Sequence, residues 1–158
     1  MMVIVNPEIK VKRVITETEA SKIADLYIPY YKRANLTKEI FLKRWQFASS
    51  HDNYYMLAAY LGADNDAPVG FMDFSIIPSI FWAPSLARLD SMHIKNEAGE
   101  KEIADALFDH ALSIMKKHEV SKVIAVSCAN YEQEVRLLTN KLTIDDNPTK
   151  TFFFKAIS

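Results

Sequence analysis

The sequence predicts an α+β fold (α/β with a mixed sheet), its elements in the order β-α-α-β-β-β-α-β-α-β-β. Three observations carry this reading. Alternating or continuously apolar runs of strand length recur between segments of helical pattern. A strand–turn–strand pair, residues 54–61 and 69–77, stands near the middle of the chain around a polar turn at 62–68. A helix with one apolar face, residues 100–118, leads into a continuous apolar run at 123–128, as expected of a strand covered on both faces.

The elements follow in order. Residues 9–15 alternate as I-K-V-K-R-V-I and read as a strand. Thr16 with Glu19 forms a capping-box pattern that opens a helix to about Tyr31, with Pro29 near its end, where the helix kinks or stops. Thr37 caps a second helix, residues 37–48, with a broad apolar face of Ile40, Phe41, Trp45 and Phe47. The hairpin 54–77 comes next, then an apolar connection at 78–84 with Phe81 and Trp82, then a long strand at 86–94. The helix 100–118 places Ile103, Ala104, Leu107, Ala111, Leu112 and Met115 on one face. After the strand 123–128 come a helix at 131–140 and a closing hairpin at 142–157, turned at Asp146, Asn147 and Pro148.

Composition narrows the class. The 158 residues, 49% hydrophobic and 25% charged, are those of one soluble domain spanning 1–158. A net charge of −1 provides no field for nucleic acid or a membrane surface, and Lys12-Arg13, Lys32-Arg33 and Lys43-Arg44 read as dispersed solvated pairs. The lone Cys128 excludes an internal disulfide and reads as a buried structural thiol in a reducing compartment. No apolar run approaches the ~20 residues of a membrane span, and no leader pattern is seen. The expected location is cytoplasmic, or within a particle assembled inside the cell. His51, His110 and His118 read as helix-end or surface residues, and no metal or nucleophile motif is present, so no metal is expected.

From residue 86 to 117 the chain is similar to the acyl-CoA-binding core of the GNAT superfamily of N-acetyltransferases. In that core a strand enters a loop of the form R/Q-x-x-G-x-G/A, which opens a helix whose N-terminus receives the pyrophosphate of CoA. The segment 92–111 reads M-H-I-K-N-E-A-G-E-K-E-I-A-D-A-L-F-D-H-A. The element order also matches that superfamily along residues 9–157. The resemblance implies a central mixed, mostly antiparallel sheet flanked by helices, with acyl-CoA hydrogen-bonded to strand backbone at its splayed centre.

The resemblance assigns Met92 and Ile94 to the strand end, and Gly99, Glu100, Lys101, Glu102, Ile103 and Ala104 to the loop and first helical turn. Asn130, after the following strand, falls at a further cofactor position. Gly99 stands where the family has its basic or amide residue, Glu102 stands at a glycine and Ala104 at the last small residue, with Glu100 directly after Gly99. These carboxylates suit a helix N-terminus but oppose a polyanion. The family's general-acid tyrosine falls among Leu137, Leu138 and Thr139, and Tyr131 reads as a packing or surface residue.

Asp90 is the candidate general base, placed by alternation on one strand face with Arg88, Met92 and Ile94, with pairing to Arg88 as the structural alternative. His93 points to the opposite face. Tyr27, Tyr30, Tyr31, Phe41, Trp45, Phe47, Phe81 and Trp82 supply either an acceptor groove or core and interface. Two functions result. One is a divergent N-acyltransferase moving an acetyl or other acyl group from acyl-CoA to an amine of a small molecule or protein. The other is a catalytically inactive GNAT-fold protein without cofactor, a structural or protein-binding subunit of a larger assembly such as a virus particle, or a homo-oligomer.

Overall fold

The computed structural model describes residues 8–62, 67–95, 99–127, 131–141 and 153–154. Its elements are β1 (Ile9–Arg13), α1 (Glu17–Tyr31), α2 (Lys38–Ser49), β2 (Tyr54–Leu61), β3 (Gly70–Pro78), β4 (Ser85–Ile94), α3 (Glu100–Lys117), β5 (Val120–Ser127), α4 (Glu132–Lys141) and β6 (Phe153–Phe154). They form one sheet in the order β1-β2-β3-β4-β5-β6. β1 to β4 pair antiparallel, whereas β4–β5 and β5–β6 are parallel. The sheet is thus mixed and the class is α+β. Of the closing hairpin only Phe153–Phe154 is described, and the rest of 142–157 lies outside the described residues.

Local chemistry explains the helix starts. The Thr16 hydroxyl accepts the Glu19 N–H at 3.2 Å, and the Glu19 carboxylate returns to the N–H of Ile15. Thr37 caps α2 by accepting the N–H of Ile40 at 3.2 Å. Each such cap contributes about 1 kcal/mol. Pro29 sits inside the last turn of α1, which runs on to Tyr31 and ends at Lys32 in the left-handed region.

The sheet is buried on both faces at its centre. Leu57 and Ala59 of β2 face α3, joining Met72, Phe74 and Ile76 of β3 and Ile103, Ala104, Leu107 and Ala111 of α3. Met56, Ala58 and Tyr60 face the other way with Phe71, against Ile23, Ala24 and Tyr31 of α1 and Phe41 and Trp45 of α2. This double burial makes β2 read as continuous apolar sequence. Phe47 departs from expectation: it is 73% exposed, because α2 buries only Phe41 and Trp45 beneath it. β5 begins at Val120, three residues before its apolar run, because Val120, Lys122 and Val123 extend the ladder to β4.

One irregularity positions the site. Asp73 of β3 pairs with Ser91, but the next residue, Phe74, pairs with Leu89. Two β4 residues therefore oppose one, and Asp90 is the extra residue of a β-bulge. Ahead of the bulge Ala87 and Leu89 face α3, and beyond it Met92 and Ile94 do. The alternation expected from sequence is therefore corrected: Asp90 and Arg88 do not share a face with Met92 and Ile94.

Candidate functional site

β4 and β5 pair from Ser85↔Val120 to Leu89↔Ala125, and the described pairing stops at the bulge. Beyond it, side chains meet the β4 backbone on its β5 side. The N–H of Met92 donates to the Tyr31 hydroxyl at 2.9 Å. That hydroxyl is also hydrogen-bonded to the carboxylate of Glu134, which is 2% exposed. Ile94 is held at both backbone groups by one carboxamide. Its N–H donates to Gln133 Oε1 at 3.1 Å, and its C=O accepts from Gln133 Nε2 at 2.7 Å. Gln133 thus occupies the strand edge much as a neighbouring peptide unit would.

A network supports this contact. His93 Nδ1 lies 2.6 Å from Gln133 Oε1, and since that oxygen only accepts, Nδ1 carries the proton. The imidazole stacks on Tyr30 with centroids 4.0 Å apart, and burial lowers its pKa. Burial and the neighbouring Glu134 carboxylate raise the pKa of Tyr31, so the phenol stays protonated. The Tyr131 hydroxyl donates to the C=O of Tyr31 at 3.1 Å, tying the start of α4 to the end of α1. An open groove of about 570 Å³ lies there, lined by residues that include Pro29, Tyr30, Lys32, Glu132 and Gln133.

The loop residues take distinct places. Gly99 caps α3 at φ 122°, a conformation that strains any L side chain. The Glu100 carboxylate turns to α4, where it meets Arg136 at 2.5 Å and accepts from Gln133 Nε2 at 3.0 Å. Lys101 and Glu102 are exposed, whereas Ile103 and Ala104 are buried against the sheet. Gly70 permits that approach: a Cβ there would lie 3.2 Å from the C=O of His93 and 3.3 Å from Ile103 Cγ2. Asn130 lies outside the described residues. Asp90 is ion-paired with Arg88 at 2.7 Å, with a third of its side chain exposed.

The residue that sequence reasoning missed is Asp73. It shares the α1/α2 face of β3 with Phe71 and lines a pocket of about 180 Å³ walled by Tyr27, Phe41, Trp45 and Tyr54. Its carboxylate accepts from the Tyr54 hydroxyl at 2.9 Å and from the Ser91 hydroxyl beside the bulge. Burial, followed by the charge of Asp90, raises its pKa to about 7, against the opposing pull of the two hydroxyls. The signal was available: Asp73 is a lone carboxylate in the otherwise apolar G-F-M-D-F stretch. Among the described residues no group of three His, Cys, Asp or Glu side chains could hold a metal.

The frame is thus a central strand with a bulge, a parallel neighbour whose described pairing stops there, and a helix opening beyond the strand end. The sequence profile described as the acetyltransferase (GNAT) family matches residues 20–139. The chain belongs to this family. No curated protein sequence matches it. Solved GNAT structures share the fold. The aminoglycoside 6'-N-acetyltransferase AAC(6')-Ih of Acinetobacter baumannii is 14% identical, covers 96% of this chain with 100% of its own, and gives a TM-score of 0.70. The aminoglycoside N-acetyltransferase AAC(6')-Iy, solved with CoA, is 11% identical with 99% and 100% covered and a TM-score of 0.72. A ribosomal-protein-alanine N-acetyltransferase from Brucella melitensis is 16% identical, with 88% and 94% covered and a TM-score of 0.68. In this GNAT chain no described helix is long and apolar enough to cross a membrane.

Proposed function

We propose that this GNAT protein is an N-acyltransferase that takes an acetyl or other acyl group from acyl-CoA and delivers it to an amine bound in the Asp73 pocket. The observation that carries this reading is Asp73 itself, a carboxyl with a pKa of about 7 beside the β4 bulge. A group with that pKa is half ionised near neutral pH, where a general base works best.

The β4 edge has the chemistry to receive the donor. Gln133 already seats a planar amide on the N–H and C=O of Ile94, so an amide of the CoA arm would find the same partners once Gln133 withdrew. Acyl-CoA would supply the activated acyl group. Asp73 would take a proton from the acceptor ammonium, so that the amine nitrogen bonds the acyl carbon while the carbon–sulfur bond breaks, and the second proton lost by that nitrogen would pass to the departing thiolate. The N–H of Met92, now on Tyr31, would be available to the developing oxyanion after Tyr31 shifts. Thiol release from acetyl-CoA with a panel of primary amines tests the reading. Amine-dependent release that falls about 10²-fold or more in Asp73→Asn supports it. No amine-dependent release, or an unaffected variant, refutes it.

A second reading is favoured by the Gln133 and Glu100 contacts. With Gln133 permanently on Ile94 and Glu100 at the helix start, the chain would be a non-catalytic GNAT-fold protein. Exposed Ile80 and Phe81 would then serve a protein partner.

A further inference from the structure

We infer that the Asp73 pocket selects an acceptor that carries its ammonium and an anionic group at opposite ends of a one-ring apolar body. This rests on the reading of that pocket as the acceptor site and specifies its substrate class. Three observations support it. First, the pocket lining holds one acidic and one basic side chain, on different elements. Asp73 lies on the sheet, half-buried, whereas Arg44 lines the same pocket from α2 and is exposed to solvent. Among the described residues Arg44 has no ion-pair partner, so its guanidinium is available to a ligand. The Asp73 oxygens accept one hydroxyl each, from Tyr54 and Ser91, which leaves acceptor capacity for an ammonium.

Second, the rest of the lining is largely aromatic and apolar: Tyr27, Phe41 and Trp45, with Leu36 and Met56. Aromatic faces favour a cation near them and an apolar body between them. Third, the size is restrictive. An apolar cavity of about 150 Å³ takes a benzene-sized molecule, so about 180 Å³ takes one ring or a short chain. An amine without an anionic end would leave Arg44 unused, and an α-amino acid would place both its charges at one end of the pocket.

Isothermal titration of the full chain without acyl-CoA tests this, with para-aminomethylbenzoate, benzylamine and para-toluate as probes. The zwitterion is expected to bind about five- to tenfold more tightly than benzylamine, the gain of one charge-assisted contact at a half-exposed rim. Arg44→Ala should erase that preference, and an unaltered unfolding midpoint would show that the variant is folded. Equal binding of benzylamine and the zwitterion to the unmodified protein, a preference that survives Arg44→Ala, or no amine binding would each overturn the inference. The outcome is separable from the catalytic reading. A protein that binds the zwitterion selectively yet never acetylates it loses only the N-acyltransferase proposal. One that acetylates amines without regard to their anionic end loses only this inference.

Discussion

Replacing Asp73 with Asn keeps the shape of the pocket floor and removes its ionisation. In the folded protein this carboxyl titrates at about 7 rather than at its ordinary 3.8. The folded state therefore retains a proton that the unfolded chain has already released between these values. The resulting stabilisation is fully present below about pH 4 and is lost as pH rises through about 7. Once the group is ionised, a difference of this size corresponds to about 4 kcal/mol. Asp73 is half-buried as a residue, and its hydrogen bonds from Tyr54 and Ser91 favour the ionised form, so the expected cost is taken as about 2–3 kcal/mol. Asp90, Tyr54, Tyr27 and Glu134 share the local field, and all are retained in the variant. Urea unfolding of both proteins at about pH 4 and about pH 8.5 reads the effect. The two should be nearly equal in acid, and Asp73→Asn should be more stable by about 2–3 kcal/mol in base. A difference that does not vary with pH, or one favouring the unmodified protein in base, would refute the argument that burial holds this carboxyl near neutrality.

Other perturbations follow from the same geometry. Tyr31→Phe removes the hydroxyl shared by Met92 N–H and Glu134, and should lower unfolding free energy by about 1–3 kcal/mol in urea titrations. Gly70→Ala would place a methyl 3.2–3.3 Å from β4 backbone and from Ile103, and should cost about 1–3 kcal/mol with a lowered thermal midpoint. Leu107→Ala, at a fully buried position of α3, should cost about 2–5 kcal/mol in the same assay. Under the catalytic proposal, acetyl transfer should rise with pH through about 7 as Asp73 ionises, and the residual rate of Asp73→Asn should lack that step.

Much of the architecture was legible because its causes are local. Thr16 and Thr37 announce their helices through hydroxyls that cap nearby N–H groups, and the one-sided spacing of Ile103, Leu107 and Ala111 sets the buried face of α3. The bulge was not legible. Strict two-residue alternation placed Asp90 with Arg88, Met92 and Ile94, whereas one extra residue, visible only in the pairing with β3, leaves Asp90 and Arg88 on the face away from Met92 and Ile94. Asp73 obeyed the rule applied to Asp90, a carboxylate inside an apolar strand, but its pocket arises from α1 and α2 folding over the sheet. Gln133 left no local sign, since its partner Ile94 is 39 residues away in sequence. Glu100, set against a phosphate by its sequence position, instead turns to Arg136.

The central claim is that the β4 edge held by Gln133 is a receptor for acyl-CoA. Isothermal titration of the full chain and of Gln133→Ala with acetyl-CoA, and with desulfo-CoA as a control, tests it most directly. The account predicts measurable binding to the unmodified chain, about tenfold tighter in the variant, because the ligand amide no longer competes with the carboxamide on Ile94. No heat and no thermal shift in either protein at millimolar acetyl-CoA would contradict it and leave the non-catalytic reading standing.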